Sequence, residues 1–366
     1  MTKKNSRTIS GYGREFLCRT GIGAELLTRF IKALWRIYVV RRLILFIPLL
    51  VGVSMAVFVL IRMAPGNPAY LFAGPTASLE TIRAMEIKLG LDQSIWVQCF
   101  LYMKNLVHGD LGVSLITSQP VLKDLAVRLP ATLELITFAM LLIIVVLVPL
   151  GILSAVGGNL AGRLSSGYGF LAGSLPDFWW GLMLIFVFYT LLGWAPVPFG
   201  RIDFGLEPPV VTGFLTIDTL LANDLAAFRS ALGRLILPGF TLAFIFGAPV
   251  LKHLRTTMAT GLQAHYIQYA HLCGLSRTAI FRYAFRNSII PPLTMAGMTY
   301  VYLVGAAALV ESVFAWGGFG QYAVQAAISS DYMAVSGTVL AAMLIALCIY
   351  LILDLVYSLI DPRVRN

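Results

Sequence analysis

Long apolar runs decide what this chain can become. They lie at roughly 43–61, 133–156, 168–192, 235–251, 289–313 and 337–360. Each is close to the ~20 residues that carry a helix across the hydrocarbon of a bilayer. Each is continuously apolar rather than alternating, which argues for helices and against the strands of a barrel. Composition agrees, with 58% of residues hydrophobic and 12% charged, against about 25% charged in a soluble domain. The expected fold is an all-α integral membrane protein with six transmembrane helices. Pro238 and Pro249 interrupt the fourth run, which a span tolerates when neighbouring helices satisfy the freed carbonyls.

An even number of spans puts both ends on one side of the membrane. That side holds the N-terminal tail, the loops at 157–167 and 252–288, and the C-terminal tail. Two thirds of the 27 Lys and Arg residues fall there, against three acids, Glu15, Glu25 and Asp361. The other side carries slightly more acids than bases. The positive-inside rule therefore predicts that both termini are cytoplasmic. Topology and anionic lipid account for the net charge of +10. No basic cluster stands on a soluble domain, so no nucleic-acid partner is expected.

The expected order is a basic cytoplasmic tail at 1–42, a first span at 43–61, an external segment at 62–131, the core of spans at 132–360 and a cytoplasmic end at 361–366. Leu26, Leu27, Phe30, Ile31, Leu34, Trp35 and Tyr38 recur at helical spacing with Arg29, Lys32 and Arg36 between them. They predict either an interfacial amphipathic helix or a cytoplasmic extension of the first span. In the external segment Pro65, Gly66 and Pro68 break the chain. Helices are expected at 79–89 and 96–108, a turn at 109–114, and a second span opened by Pro130. A second external segment at 194–234 is expected to be helical around 218–228, and 311–320 reads as a glycine-rich external re-entry. The first apolar run begins too late and is too long for a cleaved signal peptide. Of Cys18, Cys99, Cys273 and Cys348 only Cys99 is expected outside, so no intrachain disulfide is expected there.

Catalytic signatures are missing from the chain. No Gly-Lys dipeptide occurs, hence no phosphate-binding loop, and there is no HExxH, paired CxxC or GxSxG motif. His265 and His271 are six apart, the wrong spacing for two ligands on one helical face. The chain is expected to be no enzyme and to carry no metal or cofactor of its own. Glu134, Asp177 and Glu311 fall within or beside the apolar runs, where charge is expensive. They either line a cavity or serve structure, capping a helix end or bonding an unwound turn.

The stretch 264–292 reads AHYIQYAHLCGLSRTAIFRYAFRNSIIPP, with Arg277, Arg282 and Arg286 and no acid. Gly274 tolerates a left-handed helix end and Ser276 is a helix cap. The prediction is a helix–turn–helix lying across the membrane surface. Tyr266, Ala270, Gly274, Leu275, Ser276, Arg286, Asn287 and Pro291 together resemble the cytoplasmic coupling loop of ATP-binding-cassette importer permeases. Gln268-Tyr269-Ala270 stands where the general family has Glu-Ala-Ala, a departure that fits the oligopeptide/dipeptide and nickel branch. From about Arg41 onward the chain is similar to the first permease subunit of that branch. The strings Leu89-Gly90-Leu91-Asp92, Gly109-Asp110-Leu111-Gly112, Pro130-Ala131-Thr132-Leu133-Glu134 and Asp361-Pro362-Arg363 carry the likeness, as do Glu311, Phe314 and Trp316. Trp316-Gly317-Gly318 stands where members commonly have Trp-Pro-Gly, which loosens the external turn.

The resemblance implies a type I importer permease fold with a cytoplasmic coupling helix, in a bacterial inner membrane. It implies half of a translocation pathway for di- or oligopeptides. The same architecture also serves a nickel complex, a glycoside or an antimicrobial peptide. The implied partners are a second homologous permease, two ATPase subunits that hold Mg-ATP, a periplasmic or lipid-anchored solute-binding protein docked on 62–131 and 194–234, and membrane lipid. A stand-alone secondary transporter would show two similar halves, and no internal repeat is visible. In the coupling role, Ala270 and Gly274 are expected to allow close backbone approach, and Tyr266 and Tyr269 to fill a groove on the ATPase. Arg277, Arg282 and Arg286 either meet carboxylates or lipid phosphate or simply set topology.

Overall fold

A computed structural model of the chain describes residues 44–60, 63, 69, 77–88, 90–157 and 159–360. The amphipathic pattern at 23–42, the break at Pro65-Gly66-Pro68 and the Asp361-Pro362-Arg363 end lie outside the described residues. Apart from one isolated bridge between Val113 and Pro120, the regular structure among the described residues is helical.

Helix α1 (Ile44–Leu60) is apolar but short for a span. Between α1 and the next apolar helix lie α2 (Leu79–Lys88) and α3 (Ile95–Val107). Helix α4 (Val121–Val156) is the longest apolar element and contains a π-helical turn at Ile143–Leu147. It starts well before the expected span. Pro120 is its N-cap, and Pro130 lies inside the helix rather than opening it. Pro130 removes one helical N–H, and packing of the flanking turns holds the helix through it. Gly157, left-handed at φ 120°, ends it.

The third span was expected to be continuous. Instead α5 (Asn159–Ser174) and α6 (Asp177–Leu191) meet at an angle of 106° across Leu175-Pro176. Pro176 is the reason, since a proline disfavours helical geometry in the residue before it. The expected helix at 218–228 is also split. Helix α7 (Leu215–Leu221) ends before left-handed Asn223, and Asp224 caps α8 (Leu225–Phe246) by accepting from Ala227 N–H at 2.9 Å. Pro238 lies within α8 without ending it. The fourth span thus sits earlier than expected, and 248–251 belong to the next helix, α9 (Ala248–Gln263), with Pro249 in its first turn.

Helices α10 (His265–Leu272) and α11 (Arg277–Ser288) form a hairpin, followed by α12 (Ile290–Val313), with prolines in its first turn. The glycine-rich turn after it leads into α13 (Phe319–Ile328), a helix not foreseen in the sequence, and then α14 (Tyr332–Ile360). Helices α4, α8, α12 and α14 are long and apolar enough to cross a membrane, and the α5–α6 pair makes a fifth if it is one broken span.

The core joins α4, α8 and α12. Leu135, Ile136, Ala139 and Ile143 pack with Leu235 and Leu242 and with Leu303, Ala307 and Val310. Outward faces are just as apolar: Leu141, Ile144, Val145 and Val146 of α4 are exposed. Only 11% of the most apolar window of α14 is buried. Such surfaces belong in lipid, where packing rather than water exclusion holds helices together.

Candidate functional site

The α10–α11 hairpin grows out of α9. Gly274 closes α10 at φ +75°, its N–H donating to His271 O at 3.0 Å, while Leu275 N–H donates to Ala270 O at 3.2 Å. Ser276 Oγ then accepts from Ala279 N–H at 3.3 Å and starts α11. These two local devices fold the stretch back on itself. Ile267, Ile280 and Ala284 form a small separate core, flanked by Leu262, Ala270 and Leu275, and α11 packs along α9.

The expected site residues divide by what they touch. Tyr266, Tyr269, Arg286, Asn287 and Pro291 are exposed. Ala270 and Leu275 turn inward and help fill the hairpin's own core. Gly274 and Ser276 shape the turn. A Cβ built on Gly274 meets nothing within 4 Å. Within the hairpin Ala270 is a packing residue and Gly274 takes a left-handed backbone angle; the close approach expected of both is to a partner ATPase. Leu272, 87% exposed, extends the outward row of Tyr266 and Tyr269, which is 70% exposed. The sequence reading passed it over, although 266, 269 and 272 recur at a spacing that keeps them on one side of a helix.

The three acids expected as cavity-lining or structural have separate fates. Glu134 on α4 is buried. It pairs with Arg201 and accepts from Thr216 N–H at 2.7 Å and Thr216 Oγ1 at 2.6 Å. Arg201 also donates to Gly213 O at 2.9 Å, and its guanidinium lies 5.8 Å from the Trp316 ring centre. Glu311 on α12 is fully buried. It accepts from Thr132 Oγ1 and from Gln321 N–H at 2.8 Å. A Cβ on Gly318 would clash with Glu311 Oε1, so a side chain there would have to push the carboxylate aside. Trp316 Nε1–H donates to Ala131 O at 3.0 Å, and Phe319 N–H to Thr132 Oγ1 at 2.8 Å. Both glutamates thus tie the N-terminal half of α4 to the turns around 201–216 and 316–321. Asp177 joins neither. It is the first residue of α6, after Pro176 at the N-cap, and its side chain accepts from Phe178 N–H at 2.8 Å.

Two further acids were not singled out in the sequence. Asp331 is buried and accepts from Ser114 Oγ at 2.6 Å, Leu115 N–H at 2.7 Å and Ala334 N–H at 3.1 Å. It anchors the 114–116 turn to α14, and Ser329-Ser330-Asp331 before an apolar run is a legible cap signature. Asp218 accepts from Thr212 N–H at 2.8 Å, Thr212 Oγ1 at 2.7 Å and Gly213 N–H at 2.9 Å. Burial pushes its carboxyl up, but the bonds from Thr212, Gly213 and Val211 outweigh that and hold it below the usual range. An open groove of about 690 Å³ runs between α5 and the α8–α9 junction, past Ser165, Lys252 and Arg255. Glu134, Asp177 and Glu311 do not line it.

Residues 147–366 match the family described as binding-protein-dependent transport system inner membrane component. Residues 35–136 match the N-terminal part of the same kind of membrane component. The chain is 38% identical over 331 residues to the dipeptide transport system permease protein DppB of Alkalihalophilus pseudofirmus, covering 90% of this chain and 99% of that one. It is 40% identical over 316 residues to the probable D,D-dipeptide transport system permease protein DdpB of Escherichia coli K12, covering 86% and 93%. Against the di/tripeptide transport system permease protein DppB of Pseudomonas aeruginosa it is 35% identical over 334 residues, covering 90% and 98%. These are non-catalytic permeases, ATP hydrolysis being left to separate subunits. On its helices, on both matched segments and on relatives aligned almost end to end, the chain belongs to the inner-membrane permease components of binding-protein-dependent transport systems.

Proposed function

We propose that this permease forms half of the path by which di- and oligopeptides enter the cell, opposite a second homologous permease. The observation that carries the cargo is that the three relatives named above, 35–40% identical and aligned over 86–90% of this chain, are named for dipeptides, D,D-dipeptides or di/tripeptides. Two ATPase subunits power the import, and a periplasmic or lipid-anchored solute-binding protein delivers cargo to the external segments. The full topology is six spans, α1 and the α5–α6 pair included, with both termini cytoplasmic. The groove past Lys252 and Arg255 is a better candidate for the path than Glu134 and Glu311, whose oxygens already bond Thr216, Arg201, Thr132 and Gln321.

The α10–α11 hairpin is the contact for the ATPases. Its private core makes it a single stiff body, and its continuity with α9 on one side and α12 on the other lets a push on Tyr266, Tyr269 and Leu272 reach the core. Deleting the gene for this chain should abolish uptake of labelled dipeptides, and a plasmid copy should restore it. Normal dipeptide uptake in the deletion strain, with loss of uptake of nickel or a glycoside instead, would overturn the cargo assignment.

A further inference from the structure

Helix α3 belongs to an external segment, yet it has apolar residues all round. Cys99, Tyr102, Met103 and Leu106 recur at helical spacing and are partly buried against the protein. Tyr102 packs on Phe58 of α1 with ring centres 5.5 Å apart, and its hydroxyl lies 2.6 Å from Ser336 Oγ of α14. The opposite face carries Trp96, Val97, Phe100 and Leu101, all exposed, Trp96 at 78% and Phe100 at 69%. Lys104 and His108 follow at the C-terminal end.

The two anchors fix the depth of this helix. Phe58 is in the last turn of α1, and Ser336 is near the start of α14. Helix α3 therefore lies across neighbouring ends of two apolar helices. Val59 and Leu60, next to Phe58 at that end of α1, are exposed and apolar too, so the apolar face of α3 is anchored beside the lipid-facing end of an apolar helix. Tryptophan at the rim and a lysine whose stem reaches outward fit a membrane interface.

We propose that α3 is an interfacial helix sunk in the outer leaflet. The Trp96–Phe100 face lies at the acyl boundary, and Lys104 and His108 reach the headgroup phosphates. Only the choice of leaflet rests on the topology proposed above; immersion in lipid does not. The consequence for import is that this face is closed to the solute-binding protein, which must dock on the remaining external turns.

Spin labels test this in the complete transporter, with native cysteines replaced, in discs of phosphatidylethanolamine and phosphatidylglycerol. Labels at 96, 97, 100 and 101 should collide several-fold more readily with oxygen than with a water-soluble nickel chelate, and a label at 110 should do the reverse. The pattern should persist when the solute-binding protein is added. Nickel access at 96 and 100 would put the face in water. Shielding from both probes would mean that a second permease or the binding protein covers it. Either result overturns the proposal. A label-free check compares quenching by brominated lipids in the unmodified protein and in Trp96→Phe, where the loss of a quenchable component is expected. Equal quenching in both would count against lipid contact.

Discussion

Single residues carry sharply different kinds of necessity. Gly274 is held at φ +75° with open space where a side chain would go. Its requirement is conformational, and a β-branched residue there costs about 1–3 kcal/mol of backbone strain. Asparagine visits the left-handed region several-fold more often than other residues. Gly274→Asn should therefore keep most transport and stimulated ATPase activity, whereas Gly274→Val should lose both with membrane insertion intact. Equal loss in the two variants would mean that a partner's backbone, not the turn, demands glycine. Gly318 is the opposite case, pressed against the Glu311 carboxylate. Gly274 and Ser276 were legible because stop and cap chemistry is local. Arg201 was not, since its partner Glu134 stands 67 residues away and only the folded 195–216 stretch brings them together.

At the level of elements, the 195–234 segment is held by ionic and charge-assisted bonds, Arg201 with Glu134 and Arg234 with Asp203. The Ser230 hydroxyl and the Arg234 guanidinium hold Asp203 below the ordinary carboxylate value of 3.8, and Asp218 is likewise depressed by its donors. Groups with lowered folded values stabilise fully above pH about 3.8 and lose that contribution as pH falls through the folded value. Pepsin should therefore cut within 195–234 much faster near pH about 2 than near pH about 4, and Asp218→Asn should flatten the difference. Identical cleavage at both would remove the electrostatic account. The helices α2 and α3 were readable from their apolar spacing. The break between α7 and α8 was not, because the 218–228 pattern runs unbroken and only left-handed Asn223 and the Asp224 cap divide it.

For the whole molecule, the apolar runs disclosed the helices and their order, but not their ends. Helix α4 overshoots its expected start by a dozen residues because its outer turns pack on α13 and α14 rather than on lipid, a partnership hydropathy does not record. Charge asymmetry predicts the sidedness of the chain. Alkaline phosphatase fused within 62–131 or 194–234 should be active, and fusions at 264–292 or the C-terminus inactive; the reverse pattern would invert the assembly. The 106° break at Leu175-Pro176 has its own consequence. Two helix ends meet there, each with main-chain groups that no helical neighbour bonds. If the pair is one broken span, hydrocarbon offers those groups nothing, and neighbouring protein or water admitted to the elbow has to supply their partners.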